Sequence, residues 1–206
     1  MQVILKDEII QKLKEVGLKN GDTVMVHTSL GKMGYVCGGA QAVIEALMEV
    51  VGDSGTIMMP TQSWKNLDPE TGVHWEADQK DWQLIRDNWP AYDKNLTPTN
   101  TMGAVAEMLI GTGYDKNTSL HLADARAEYP GKHTCVEHSA VSEAGKRVWK
   151  AYETLFVDGN DFEEIGEDFE KAYAVPRVRI GNALVRLMYQ RELVDFAVKW
   201  METNRA

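Results

Sequence analysis

One stretch constrains the fold of this chain more than any other, the run from Thr23 to Met59. Thr23-Val24-Met25-Val26 is a short apolar segment of β-forming residues, and it ends at His27. A polar loop follows, built on Thr28, Ser29, Gly31, Gly34, Gly38 and Gly39. Ala40 to Val51 then carries apolar residues at helical spacing, and the turn cluster Gly52-Asp53-Ser54-Gly55 leads into a second short strand, Thr56-Ile57-Met58-Met59. Strand, helix and strand with short connections predict a βαβ unit with parallel strands. In such units ligands gather beyond the C-terminal strand ends, here His27-Thr28-Ser29 and Pro60-Thr61-Gln62. A small-residue loop running into a helix N-terminus can hold a phosphate with backbone N–H groups and the helix dipole. It can equally be an ordinary βα turn, since neither a GxGxxG nor a Walker pattern is present.

At 206 residues the chain suits one α/β domain with a mixed, largely parallel central sheet flanked by helices. The N-terminus MQVILKDEII has no signal-peptide layout, and the two cysteines, Cys37 and Cys135, suggest no disulfide framework. A cytoplasmic setting is therefore expected, with no membrane association. The net charge of −9 argues against nucleic acid and suits a cationic small molecule. Oligomeric state is not readable.

Further along, Leu5 to Val16 reads as an amphipathic helix. Residues 62–97 form an excursion rich in tryptophan and acid. It reads as a lid within the domain, with one helix near Asp81 to Asp87. Its aromatic and acidic side chains either hold a polar cation or simply pin the excursion to the body. A helix is expected over Pro98 to Ile110, with Thr97 as cap, and a break follows at Gly111-Thr112-Gly113. Thr134 to Ala140 and Arg147 to Phe156 alternate like strands. Asp161 to Tyr173 reads as an Asp-capped helix, Val175 to Val178 as an edge segment and Asn182 to Glu202 as a helix.

Several chemical groupings are weaker. His133-x-Cys135-x-x-His138 fits no zinc spacing, and on a strand its third member faces away from the first two, so surface residues are expected. Cys37 has no assignable base and reads as a small buried thiol. His121 and Asp124 share a face only if their segment is helical; there they form an acid–base pair, and otherwise Asp124 pairs with Arg126 or caps a turn. Arg177, Arg179, Arg186 and Arg191 read as a solvated face rather than a phosphate site.

The stretches GDTVMVHTSLGKMGYVCGGAQAVIEAL, GTIMMPTQSW, NLTPTNTMGAVAEM, GYDKNTSLHLADARAEYPG and IGNALVRLMYQRELVDFAVKWM together resemble the aminoglycoside N(3)-acetyltransferase family. Its members move acetyl from acetyl-CoA to an aminoglycoside amine. The resemblance implies a coenzyme A site at His27, Thr28, Ser29, Leu30, Gly31, Tyr35, Val36, Gly38 and Gly39, with Thr97, Thr99 and Met102. It implies that Asp124 lies at the acceptor amine, where the family usually carries glutamate. It places Gln62, Asp68, Glu76 and Asn117, with Asp124, on the antibiotic side, and it calls for no metal. His121 is the nearby histidine able to stand in as base. The family's His-Pro-x-x-Ser motif, whose histidine acts as base, has no counterpart: none of the five histidines precedes a proline. Ile110 runs directly into Gly111-Thr112-Gly113, as though an internal segment were absent. The resemblance thus implies an acetyltransferase with impaired catalysis, or a non-catalytic coenzyme A-binding scaffold.

Overall fold

The computed structural model describes residues 2–61, 63–70, 76–93, 96–99, 102–111, 129, 131, 133–156 and 161–205. They gather into two compact units. The first takes Met1–Pro60, Met102–Gly131 and Val157–Ala206, and the second Thr61–Thr101 with Lys132–Phe156.

The first unit is built on the βαβ element that the sequence predicts. Strand β1 (Val3–Ile4) precedes helix α1 (Lys6–Glu15). Strand β2 (Thr23–Met25) leads through the short helix α2 (Leu30–Met33) and strand β3 (Tyr35–Val36) into helix α3 (Gly39–Val51) and strand β4 (Thr56–Met58). β2 and β4 pair in parallel, Thr23 opposite Thr56, Val24 opposite Ile57 and Met25 opposite Met58. The ladder runs on by one bond, from the Val26 N–H to the Met58 carbonyl (2.8 Å). β1 and β3 form a second parallel pair.

α3 is the centre of the core because its sequence is apolar on most of its circumference. Val43, Ile44, Ala46, Leu47, Val50 and Val51 are all buried, against Ile9, Ile10 and Leu13 of α1 and Val105 of helix α5 (Ala104–Gly111). Burying a side chain of this size contributes about 1.5–3 kcal/mol, so α3 anchors everything that its N-terminus points at.

Two expectations for this unit are corrected. The helix expected from Pro98 begins only at Ala104, because Gly103 has φ of +87° and interrupts the helical path. The helix expected from Asn182 begins at Gln190, as α7 (Gln190–Asn204). Before it, β7 (Arg177–Ile180) and β8 (Ala183–Arg186) form an antiparallel hairpin turned at Gly181-Asn182. Ile180 and Val178 point inward on alternate positions, so period two decides this segment. β7 starts directly after Pro176, as the edge reading predicts.

Helix α6 (Phe162–Ala172) packs on α7 through Ile165, Val194, Ala197 and Met201. Asp161 is at the α6 N-cap position but makes no capping bond; the Arg205 guanidinium holds its carboxylate instead. Trp200 Nε1 donates to Asp168 across the same pair (2.8 Å).

The second unit is organised on a ten-residue-per-strand hairpin, β5 (Thr134–Glu143) with β6 (Lys146–Leu155). Its turn uses Ala144 at φ +49° and Gly145 at φ +75°. Helix α4 (Trp82–Asn88) lies where the sequence places it. The mixed α/β class thus holds, with the described strands arranged as four two-stranded sheets, two parallel and two antiparallel.

Candidate functional site

The C-terminal end of β2 and the N-terminus of α3 bound a loop whose backbone is special at nearly every glycine. Gly34 has φ of +104°, Gly38 of +86° and Gly39 of +57°. Gly38 is the N-cap residue of α3 in left-handed geometry, where glycine alone is unstrained. No side chain caps α3, and no acidic residue lies in its first turn. Its leading N–H groups and the positive end of its dipole therefore lack an internal anion. A Cβ placed at Gly39 or at Gly31 would meet nothing within 4 Å, so the approach to both backbones is open. These features fit a phosphate-bearing ligand, and Lys32 adds a positive charge in the last turn of α2.

The other residues expected at the coenzyme fall in three groups. His27 and Ser29 are exposed at the strand end, and Thr28 and Leu30 are half-buried. Leu30 and Met102 pack against the core, and the carbonyl of Thr28 lies 3.6 Å from the Cβ position of Gly103. This brings Met102-Gly103 to the end of β2, beside the loop. Tyr35 is exposed on β3 while Val36 is buried. In the second unit, Thr97 closes a turn: its hydroxyl accepts from the Asp93 N–H (2.9 Å) and its own N–H donates to the Asp93 carbonyl (2.8 Å). It therefore does not cap a helix. Thr99 is 4% exposed, and its Oγ1 has no partner among the described residues.

Cys37 corrects the sequence reading: its thiol is exposed, because β3 ends at Val36 and the chain lifts away toward Gly38. Its N–H remains tied to the Ile4 carbonyl (2.9 Å).

Of the residues expected on the antibiotic side, Gln62, Asn117 and Asp124 lie outside the described residues, as does His121. Glu76 is exposed. Asp68 is buried and engaged. It accepts from Arg86 Nε and Nη2 (both 2.8 Å) and from the Glu70 N–H (3.0 Å). Hydrogen bonding from Arg86 holds its carboxyl below the ordinary aspartate range, against the opposing effect of burial. Asp68 therefore organises the excursion from within. The Trp149 indole donates to the Arg86 carbonyl (3.0 Å), and Arg147 caps the α4 C-terminus through the Asp87 and Trp89 carbonyls (both 2.6 Å). Of the two readings of the excursion, the described part supports pinning, with Arg147 and Trp149 as the pins. Sequence spacing gave no sign of this, since each pin lies about sixty residues from its acceptor.

No group of His, Cys, Asp and Glu among the described residues is arranged to hold a metal ion. His133 stacks on Phe156 (ring centroids 4.8 Å apart), and Cys135 is half-buried on the hairpin, consistent with the surface reading. Arg177 and Arg186 both pair with Glu170, and Arg191 with Asp195. No described helix is long and apolar enough to cross a membrane.

The model of the aminoglycoside 3-N-acetyltransferase family matches residues 25–110 and 108–202. The chain belongs to this family. A prophage-derived aminoglycoside N(3′)-acetyltransferase-like protein of Bacillus subtilis, YokD, is 32% identical, with 97% of this chain and 93% of the relative covered. Aminoglycoside N(3)-acetyltransferase VII of Streptomyces paromomycinus is 28% identical over 97% of this chain and 92% of its own. The crystal structure of YokD superposes with a TM-score of 0.86 at 29% identity, covering 100% of this chain and 96% of the other. The sequence alignment with YokD runs over 254 positions, more than the 206 residues present here. The two stretches matched by the family model meet at residues 108–110.

Proposed function

We propose that this chain is an acetyl-CoA-dependent N-acetyltransferase of the aminoglycoside 3-N type whose turnover is impaired. The coenzyme half of this reading rests on the loop from Thr28 to Gly39. Its open glycines and uncapped α3 N-terminus suit the pyrophosphate, with Thr99 and Met102 toward the pantetheine arm. A solved structure of the same fold is titled as a binary complex with CoASH, and others as bound to sisomicin or to a gentamicin. The acceptor is then an aminoglycoside amine, which accords with the net charge of −9. Conferring antibiotic resistance in the cytoplasm follows from such an activity.

The chemistry shows why turnover is the weak point. An ammonium group must lose a proton before its nitrogen attacks the thioester carbonyl. The C–N bond then forms as negative charge collects on the carbonyl oxygen, and the C–S bond breaks to release the thiolate, which takes up a proton. Backbone donors near Ser29 to Gly31 serve the oxyanion. A positioned base supplies roughly 10²–10⁴-fold. The single observation that carries the impairment is the junction at Ile110. The family model restarts there, and the His-Pro-x-x-Ser motif is absent. We infer that a segment between Ile110 and Gly111 is missing. Asp124 and His121 remain as the groups near the acceptor.

A thiol-release assay with acetyl-CoA and several aminoglycosides, beside calorimetry with coenzyme A alone, tests this. Binding with slow or no turnover is expected. Turnover equal to that of a full-length relative, abolished by His121→Ala, overturns the impairment. Absence of coenzyme A binding overturns the whole reading. Binding with no turnover at all selects the non-catalytic scaffold, which the missing motif also favours.

A further inference from the structure

The loop that carries the coenzyme reading does not hold its own shape. α2 has only four residues and no side-chain cap, and a helix that short is not stable alone. Its conformation is imposed from outside at two places. On one side β3 pairs with β1, and the Cys37 N–H reaches the Ile4 carbonyl. On the other side stands the turn of the β7–β8 hairpin, about 150 residues further along the chain. The Asn182 N–H donates to the Met33 carbonyl (3.2 Å), which closes the C-terminus of α2. The Asn182 amide lies 3.8 Å from the Cβ position of Gly34, where the loop reverses. Gly181 comes closer still. A Cβ there would lie 2.0 Å from the Met33 carbonyl oxygen and 2.5 Å from Ile4 Cδ1, so only glycine allows this approach. Its φ of +56° is also a glycine conformation.

We propose that Gly181 and Asn182 are positioning residues for the coenzyme-binding loop: the β7–β8 turn clamps Met33 and thereby sets the backbone from Ser29 to Gly34 in its ligand-ready form. The inference rests on the coenzyme reading above. The hairpin does more than close the core, because its tip meets the loop's own carbonyl rather than a side chain. The turn makes no contact with ligand in this account; it acts through Met33.

Gly181→Ala tests this with a matched control. Gly145→Ala strains a turn glycine of similar φ, +75°, but its Cβ meets nothing within 4 Å. Both variants carry a backbone penalty, and only the first disturbs the loop. Calorimetry with coenzyme A on the purified full chain is expected to show about tenfold weaker binding for Gly181→Ala. That is the loss when the competent loop falls to about a tenth of its population. Gly145→Ala is expected to bind like the unmodified chain. If Gly181→Ala does not fold, hydrogen exchange on the unmodified chain decides. Coupling between two sites is reciprocal, so coenzyme A must slow exchange at the Asn182 amide as well as at the Lys32 amide. Unchanged affinity in folded Gly181→Ala, or coenzyme A binding that leaves Asn182 exchange unaltered, overturns the clamp alone. A chain that binds no coenzyme A overturns both the clamp and the functional reading.

Discussion

Replacing Asp68 with alanine removes the acceptor at the centre of the second unit. The carboxylate is 7% exposed as a residue and accepts three hydrogen bonds, two of them from one guanidinium. Breaking a fully buried ion pair by deleting one partner costs about 3–5 kcal/mol. Arg86 is less enclosed than that, its side chain 27% exposed, and it keeps a second acceptor in Glu70 (3.0 Å). The expected cost is therefore about 2 kcal/mol, or a fall in Tm of about 4–8 °C. Five of the six tryptophans lie in the second unit, so urea denaturation followed by tryptophan emission reports on the right part of the molecule. Arg86→Ala is expected to cost about 1 kcal/mol less when made in the Asp68→Ala background, since the pair is then already broken. The pH dependence has a definite sign. Arg86 depresses the folded-state value of Asp68, so the stabilisation is complete above the ordinary aspartate value of about 3.9 and is lost as pH falls through the depressed one. The gap between the unmodified chain and Asp68→Asn should accordingly close in acid. A loss below about 0.5 kcal/mol for Asp68→Ala, or full additivity with Arg86→Ala, would refute the assignment of Asp68 as the internal tie of this unit.

Three further outcomes are expected. Leu47→Ala removes a side chain 3% exposed in the middle of α3 and should cost about 2–5 kcal/mol in chemical denaturation; a loss under about 1 kcal/mol would show that α3 is not the core anchor. With a thiol-titrating reagent, Cys37 should react about tenfold faster than Cys135, because it is exposed while burial and the Glu137 carboxylate raise the Cys135 thiol pKa; mass mapping of the first modified peptide checks the order. Thr99→Val keeps the side-chain volume and removes a buried hydroxyl with no described partner, so thermal stability should hold or rise while coenzyme A affinity falls by about three- to tenfold; a clear loss of stability would mean that the hydroxyl is already paired within the fold.

What could be read from the residues in order is what short-range physics specifies. The apolar period of α3, the β-forming runs on either side and the turn cluster at Gly52 to Gly55 give the βαβ unit with its strands within one residue of the observed ends. The resemblance carried by the motif stretches gives the family, and the absence of any His-Pro pair gives the doubt about catalysis. Local patterns fail where two readings of one segment compete and a distant partner decides. Asn182 to Arg186 has apolar spacing compatible with a helix, but β7 supplies a ladder for it and Gly181 supplies the turn. Asp68 is an acid among acids in the sequence, and only folding brings Arg86 to it and turns a supposed ligand into an internal tie. Cys37 reads as a core thiol until β3 proves to end one residue before it. The loop from Thr28 to Gly39 shows both sides at once: its glycines announce an open backbone at a helix N-terminus, whereas the contacts that hold it there come from Ile4, Gly181 and Asn182. Glycine content is a local property of the chain. The shape of the loop comes from backbone hydrogen bonds to remote segments, which no local pattern encodes.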